Sequence, residues 1–175
     1  MSEGNRVSRR DALTLAEHVF FLLRPHCERV EIAGSLRRCK PDVGDIELVM
    51  IPTAEHDLFG GTVRTSAHIK REMIEAGYTF IKGGEHLHIY EAPLCHVELY
   101  ITTPEQFGVI LTIRTGSSEF SHRLVTPRNQ GGLMPSYLHV KDGRVWNKDT
   151  ALDTYEERDV FQVMNIPWIE PEKRI

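Results

Sequence analysis

Seven residues, DIELVMI at positions 45–51, restrict this chain more than any other stretch. The apolar, β-branched run reads as a buried strand closed by Pro52, yet two acids stand at its start. Side chains alternate along a strand, so Asp45 and Glu47 share one face while Ile46 and Leu48 take the other. Any fold that accepts this strand must give it one apolar layer and one face that tolerates paired carboxylates. CHVELY, at 95–100, repeats the pattern: Val97 and Leu99 share a face, and Glu98 takes the opposite one with His96. If the two strands are neighbours, three carboxylates converge. Such a group repels itself unless cations neutralise it, and hard oxygen donors suit Mg²⁺ or Mn²⁺. The same residues also fit the solvated face of a half-exposed sheet.

The segment ahead of the acids, GSLRRCKPDVG at 34–44, is rich in groups that bind anions. Ser35 follows Gly34 at a strand-to-helix turn and offers a hydroxyl and backbone N–H groups, while Arg37 and Arg38 add positive charge. Gly44, immediately before Asp45, lets another backbone N–H approach a phosphate closely. Phosphate donors and metal-type acceptors therefore lie at the two ends of one short segment. A metal-bridged nucleoside triphosphate needs that arrangement, because there the protein chiefly positions and neutralises charge. A lesser candidate is a transition-metal site from His86, His88 and His96.

Local signals place these motifs on elements. Ser8 and Asp11 read as N-cap and N3 of a helix with Ala12, Leu15, Ala16, Val19, Leu22 and Leu23 on its apolar face, ended by Pro25. A short strand over 30–33 runs into Gly34. After the strand at 45–51 and a loop containing Gly60 and Gly61, a helix is predicted over 64–76, stopped by Gly77. Runs 78–82 and 86–90 form a hairpin, and a strand follows at 95–101. Thr103, Pro104 and Gln106 start a helix over 104–113. RTGSSEF breaks it and opens another helix through Val125. A hairpin turns at Asp142 and Gly143. Thr154 and Glu157 read as a capping box for a last helix to Met164, with Asn165 and Pro167 closing it. Trp146 and Trp168 read as core aromatics.

The 175 residues suffice for one cored domain or two small lobes. The longest apolar run, 19–23, is too short to span a bilayer, and the opening residues lack the apolar run of a secretory signal. Three cysteines without C-x-x-C spacing suggest neither a disulfide framework nor a zinc ribbon, and a reducing cytoplasm is expected. A formal net charge of −4 means that any grip on nucleic acid rests on local patches. Candidates are His122, Arg123 and Arg128 near the later helix, and Arg64, Lys70 and Arg71 on the earlier one.

GSLRRCKPDVGDIE resembles the G-S-x-R-R…G-D-x-D signature of the nucleotidyltransferase superfamily, and of family X DNA polymerases, the group of DNA polymerase beta, in particular. HVELY is similar to the strand with the family's third metal carboxylate, TIRTGSSEFSHRLV to its Y-F-T-G-S segment, and ERDVFQVMNIPWIEPEKR to its closing helix and ending. The resemblance implies an α+β fold: a nucleotidyltransferase palm over 1–107 with a mixed β-sheet and flanking helices, and a small α/β thumb-like subdomain over 108–175. It also implies an enzyme without the family's N-terminal lyase and helix-hairpin-helix domains, in a layout similar to the smallest viral members. An intracellular monomer, virus- or phage-encoded, is among the expectations.

By the same resemblance, Asp45 and Glu47 hold two Mg²⁺ (or Mn²⁺) ions. Glu98 holds the catalytic one and accepts the primer proton. Gly34, Ser35, Arg38, the Gly44 N–H and Arg6 bind the phosphates of a dNTP, and Gly116 and Ser117 lie beside its sugar. The implied reaction is gap filling on primed or gapped DNA, as in DNA repair. Departures are specific. Glutamates stand at the family's second and third aspartate positions, each moving a carboxylate by about 1 Å, a scale on which rate is sensitive. Ile113 and Arg114 replace an aromatic pair, His96 an arginine beside the third carboxylate, and Val125 a template-contacting arginine. These changes leave two competitors in place: transfer to another acceptor such as RNA, protein or a small molecule, and a non-catalytic nucleic-acid-binding module.

Overall fold

The computed structural model describes residues 6–56, 62–63 and 66–175. Two compact units divide the chain at Met1–Thr102 and Thr103–Ile175. The expected boundary at 107 falls inside a helix that belongs wholly to the second unit.

In the first unit the elements run β1 (Val7–Ser8), α1 (Arg9–Leu23), β2 (Cys27–Ile32), α2 (Gly34–Arg37), β3 (Asp42–Val43), β4 (Asp45–Pro52), β5 (Glu55–His56), β6 (Thr62–Val63), α3 (Ala67–Glu75), β7 (Thr79–Gly83), β8 (Leu87–Glu91) and β9 (His96–Ile101). Ser8 caps α1, its hydroxyl oxygen accepting the Asp11 N–H at 3.2 Å. The helix predicted over 64–76 is described from Ala67. Arg64 and the Gly60–Gly61 loop lie outside the described residues. Gly77, at φ +91°, lets the Tyr78 N–H return to the Met73 carbonyl and close α3.

The main sheet has the order β2-β4-β9-β8-β7 and is mixed: β4 and β9 are parallel, and the other pairs antiparallel. This establishes an α+β fold with a mixed sheet. Ile46, Leu48, Val97 and Leu99 are fully buried on one face, in a core shared with Ala12, Ala16, Val19 and Leu23 of α1 and Ile69 and Met73 of α3. Each such aliphatic side chain contributes about 1.5–3 kcal/mol by leaving water, and this layer fixes the strand register. His88 is buried too, opposite Leu99 on the core face, whereas His96 lies on the other face with Glu98. A shared site of His86, His88 and His96 is therefore ruled out, because facing residues of adjacent strands project to one side.

The second unit contains α4 (Pro104–Thr115), α5 (Ser118–Val125), β10 (Leu138–Lys141), β11 (Arg144–Asn147), β12 (Thr150–Leu152) and α6 (Glu157–Val163). The Thr103 N–H donates to Gln106 Oε1 at the start of α4, and Asp142 and Gly143 both take positive φ in the β10–β11 turn. The start of α6 differs from expectation. Glu156 is its N-cap, with its N–H donating to Asp159 at 2.8 Å. Thr154 is fully buried and its carbonyl already accepts the Gly108 N–H, while Glu157 pairs with the buried guanidinium of Arg174. Trp168 packs on Phe161 at the edge of the core, whereas Trp146 is half-buried, outside that cluster, and donates its indole N–H to the Lys141 carbonyl. Among the described residues no helix is long and apolar enough to cross a membrane.

Candidate functional site

The segment between β2 and β4 folds back on the acidic strand. The Ala33 N–H donates to the Glu47 carbonyl at 2.8 Å, pinning the turn to β4. Gly34 follows at φ +64°, and a Cβ there would run into the Glu47 carboxylate. The positive φ favours glycine, and a side chain here would also displace the Glu47 carboxylate. Buried Leu36 anchors α2 and buried Val43 anchors β3, so the exposed bend between them is held at each end. Cys39, at φ +58°, makes that bend, and the Lys40 N–H returns to the Ser35 carbonyl at 3.1 Å.

Two local observations mark a place for a ligand. The Ser35 hydroxyl oxygen is buried and has no hydrogen-bond partner among the described residues. A buried polar atom in that state costs about 1–3 kcal/mol, so it calls for an explanation. Gly44 takes an ordinary backbone conformation, and nothing lies within 4 Å of the point where a Cβ would project. Open space, not backbone strain, distinguishes this glycine. Arg6 arrives by a route that local pattern does not show. β1 pairs antiparallel with β3, Val7 opposite Val43, and the Arg6 guanidinium donates to the Asp42 carbonyl at 3.5 Å.

The carboxylates come together through the parallel β4–β9 ladder. Asp45 stands opposite His96, and Glu47 opposite Glu98, all on the face away from the core. Burial and the Glu98 charge hold the Asp45 carboxyl above its usual range, while His96, its own backbone N–H and Arg38 pull the other way. Burial lowers the Arg38 guanidinium from its ordinary value, opposed by Glu47 and then Asp45. Arg38 thus lies within electrostatic reach of both acids, as His96 does of Asp45. The Glu47 carboxylate lies against Gly34, and the Glu98 carboxylate accepts the Tyr100 hydroxyl. No three His, Cys, Asp or Glu side chains among the described residues surround one point as a metal site would. The donors fit a hard cation in kind and in the face they share.

Arg6, Gly34, Ser35, Arg38, Gly44, Asp45, Glu47 and Glu98 all belong to the first unit. Gly116, Ser117, His122, Arg123 and Arg128 belong to the second. Gly116 ends α4, where a Cβ would collide with Phe120 and Ser121. Ser117 caps α5, accepting the Phe120 N–H at 3.1 Å, and its own N–H donates to the Arg174 carbonyl at 2.8 Å. His122 and Arg123 are exposed on α5. Arg128 donates to the carbonyls of Leu133, Met164 and Asn165. On α3, the Lys70 ammonium lies 3.7 Å over the Phe80 ring, and Arg71 faces Glu72 and Glu75.

Tyr100 is the site residue that sequence reasoning passed over. The period-two signal that grouped His96 with Glu98 extends to it, but an aromatic at a strand end reads first as core. A scan against protein-family models and a search of curated proteins both give no match to the chain.

Proposed function

We propose that the chain is a nucleotidyltransferase of the family X DNA polymerase type, with a nucleotidyltransferase palm, adding a dNTP to a primer 3′-hydroxyl in short DNA gaps. The observation that carries this reading is the buried, unpartnered Ser35 hydroxyl beside an acidic β4–β9 face. A phosphate oxygen is an acceptor such a hydroxyl lacks, and hard cations are counter-charges that suit the oxygen donors of such a face. Asp45, Glu47 and Glu98 would hold two Mg²⁺ or Mn²⁺ ions, which supply neutralisation of the triphosphate and activation of the attacking hydroxyl.

The chain's own groups do the rest. Ser35 Oγ and the Gly44 N–H donate to the β- and γ-phosphates, and Arg38 and Arg6 offset their charge. Glu98 accepts the proton of the 3′-hydroxyl as its oxygen attacks the α-phosphorus in line. The bond to the β-phosphate breaks, and pyrophosphate leaves. A second reading keeps this chemistry and changes the acceptor to RNA, protein or a small molecule, favoured by Ile113 and Arg114 where an aromatic pair would stack the incoming sugar and base. The non-catalytic alternative predicts binding without turnover.

Extension of a labelled primer on a one-nucleotide-gapped duplex, with each dNTP and rNTP in Mg²⁺ and in Mn²⁺, tests the proposal. Template-matched extension is expected, and Asp45→Ala should reduce it by roughly a thousandfold or more. Extension that survives Asp45→Ala would remove the assignment. Folded protein that extends no primer but consumes nucleotide on another acceptor would favour the second reading.

A further inference from the structure

Tyr100 lies two residues after Glu98 on β9 and therefore on the same face of the sheet. It stands opposite Val49 of β4 and Leu87 of β8, is 6% exposed, and donates its hydroxyl to Glu98 Oε2. A buried phenol needs an acceptor, and Glu98 supplies it. Tyrosine has two side-chain torsions and its ring is packed, so the direction of this bond is set by the ring. Glutamate, one methylene longer than aspartate, otherwise has an extra torsion to order on binding a ligand.

We infer that Tyr100 is a positioning residue for Glu98: it fixes Oε2 and so presents Oε1 to the cation and the proton of the site. The inference rests on the reading above. It also accounts for how a glutamate serves at Glu98, because the tyrosine takes up the freedom that the extra methylene adds. Tyr100 touches neither substrate nor the reacting atoms in this role.

The test is Mn²⁺ titration of the free protein, followed by electron paramagnetic resonance of the unbound ion, beside gap-filling kinetics. Tyr100→Phe keeps the ring and should weaken Mn²⁺ binding about tenfold and lower kcat about ten- to a hundredfold, with the dNTP KM within about twofold. In a Glu98→Asp background the same change should alter kcat by less than about threefold, because the torsion it controls is gone. Wild-type Mn²⁺ affinity and kcat in Y100F, equal losses in both backgrounds, or a Y100F chain that does not fold would each overturn the inference in favour of a structural role. Asp45→Ala separates the two levels. Mn²⁺ binding lost in D45A but intact in Y100F sinks Tyr100 alone, whereas a wild-type chain that binds no Mn²⁺ sinks the reading beneath it as well.

Discussion

The two faces of the β4–β9 ladder share one backbone and one set of strand hydrogen bonds, yet they do opposite things. On one face Ile46, Leu48, Val97 and Leu99 have no exposure at all. On the other, Asp45, Glu47 and Glu98 are half-buried, and burial with mutual repulsion already raises the Asp45 carboxyl. The apolar face supplies stability and the acidic face gives some of it up. Parallel pairing keeps the two from mixing, since slipping the register by one residue would drive carboxylates into the core.

The largest effect that would break this division is a cavity on the apolar face. Leu99→Ala should cost about 2–5 kcal/mol, read as a lower urea midpoint at unchanged slope. Any fall in activity should then track the folded fraction. Asp45→Ala is the mirror case: it removes a partly buried charge facing Glu98, so its urea midpoint should equal or exceed that of the wild type. A Leu99→Ala protein that stays fully folded but loses turnover would show that the faces are not separable.

A smaller effect sharpens the comparison at the edge of the acidic face. Ser35 holds a buried hydroxyl with no partner among the described residues, so Ser35→Ala should leave stability unchanged or slightly higher. Triphosphate binding should fall by about 1.5–3 kcal/mol, the worth of a hydrogen bond to a charged group, or roughly ten- to a hundredfold in Kd by isothermal titration. Unchanged affinity would place the phosphates elsewhere.

Local patterns made much of this legible. Alternation in DIELVMI and HVELY put the acids on one face of each strand, and Ser8, Gln106 and Gly77 announced their helix ends. Information about partners over long sequence distances was missing. Nothing in NRVSRRD says that residues 7–8 pair with 42–43 and carry Arg6 to Asp42. The parallel contact of β4 and β9, which turns two acidic strands into one acidic face, was only a condition in the sequence. The α6 cap misled because two capping patterns overlap within three residues, and tertiary contacts of Thr154 and Glu157 selected the later one. Tyr100 escaped because a hydroxyl's acceptor cannot be read from residue type.

The smallest predicted effect concerns the one histidine that the apolar face admits among its β4, β8 and β9 members. His88 is buried, its Nδ1 is 3.1 Å from the Tyr90 hydroxyl, and it bonds to the Gly84 backbone. Burial first, and then the Lys70 charge, hold its pKa below the ordinary 6.5. A neutral ring accepts at one nitrogen and donates at the other; protonation makes both donors, and the Tyr90 hydroxyl can then no longer donate to it. As pH falls through about 6.5 the unfolded chain takes up this proton first, so the native state loses stability from there down to its own lower pKa and no further. Urea midpoints should therefore decline from pH 7.5 to pH 5.5, with a shallower decline in His88→Gln than in wild type. Equal declines would mean that groups other than His88 account for the acid-side loss, and that the imidazole inside the apolar layer titrates as it does in water.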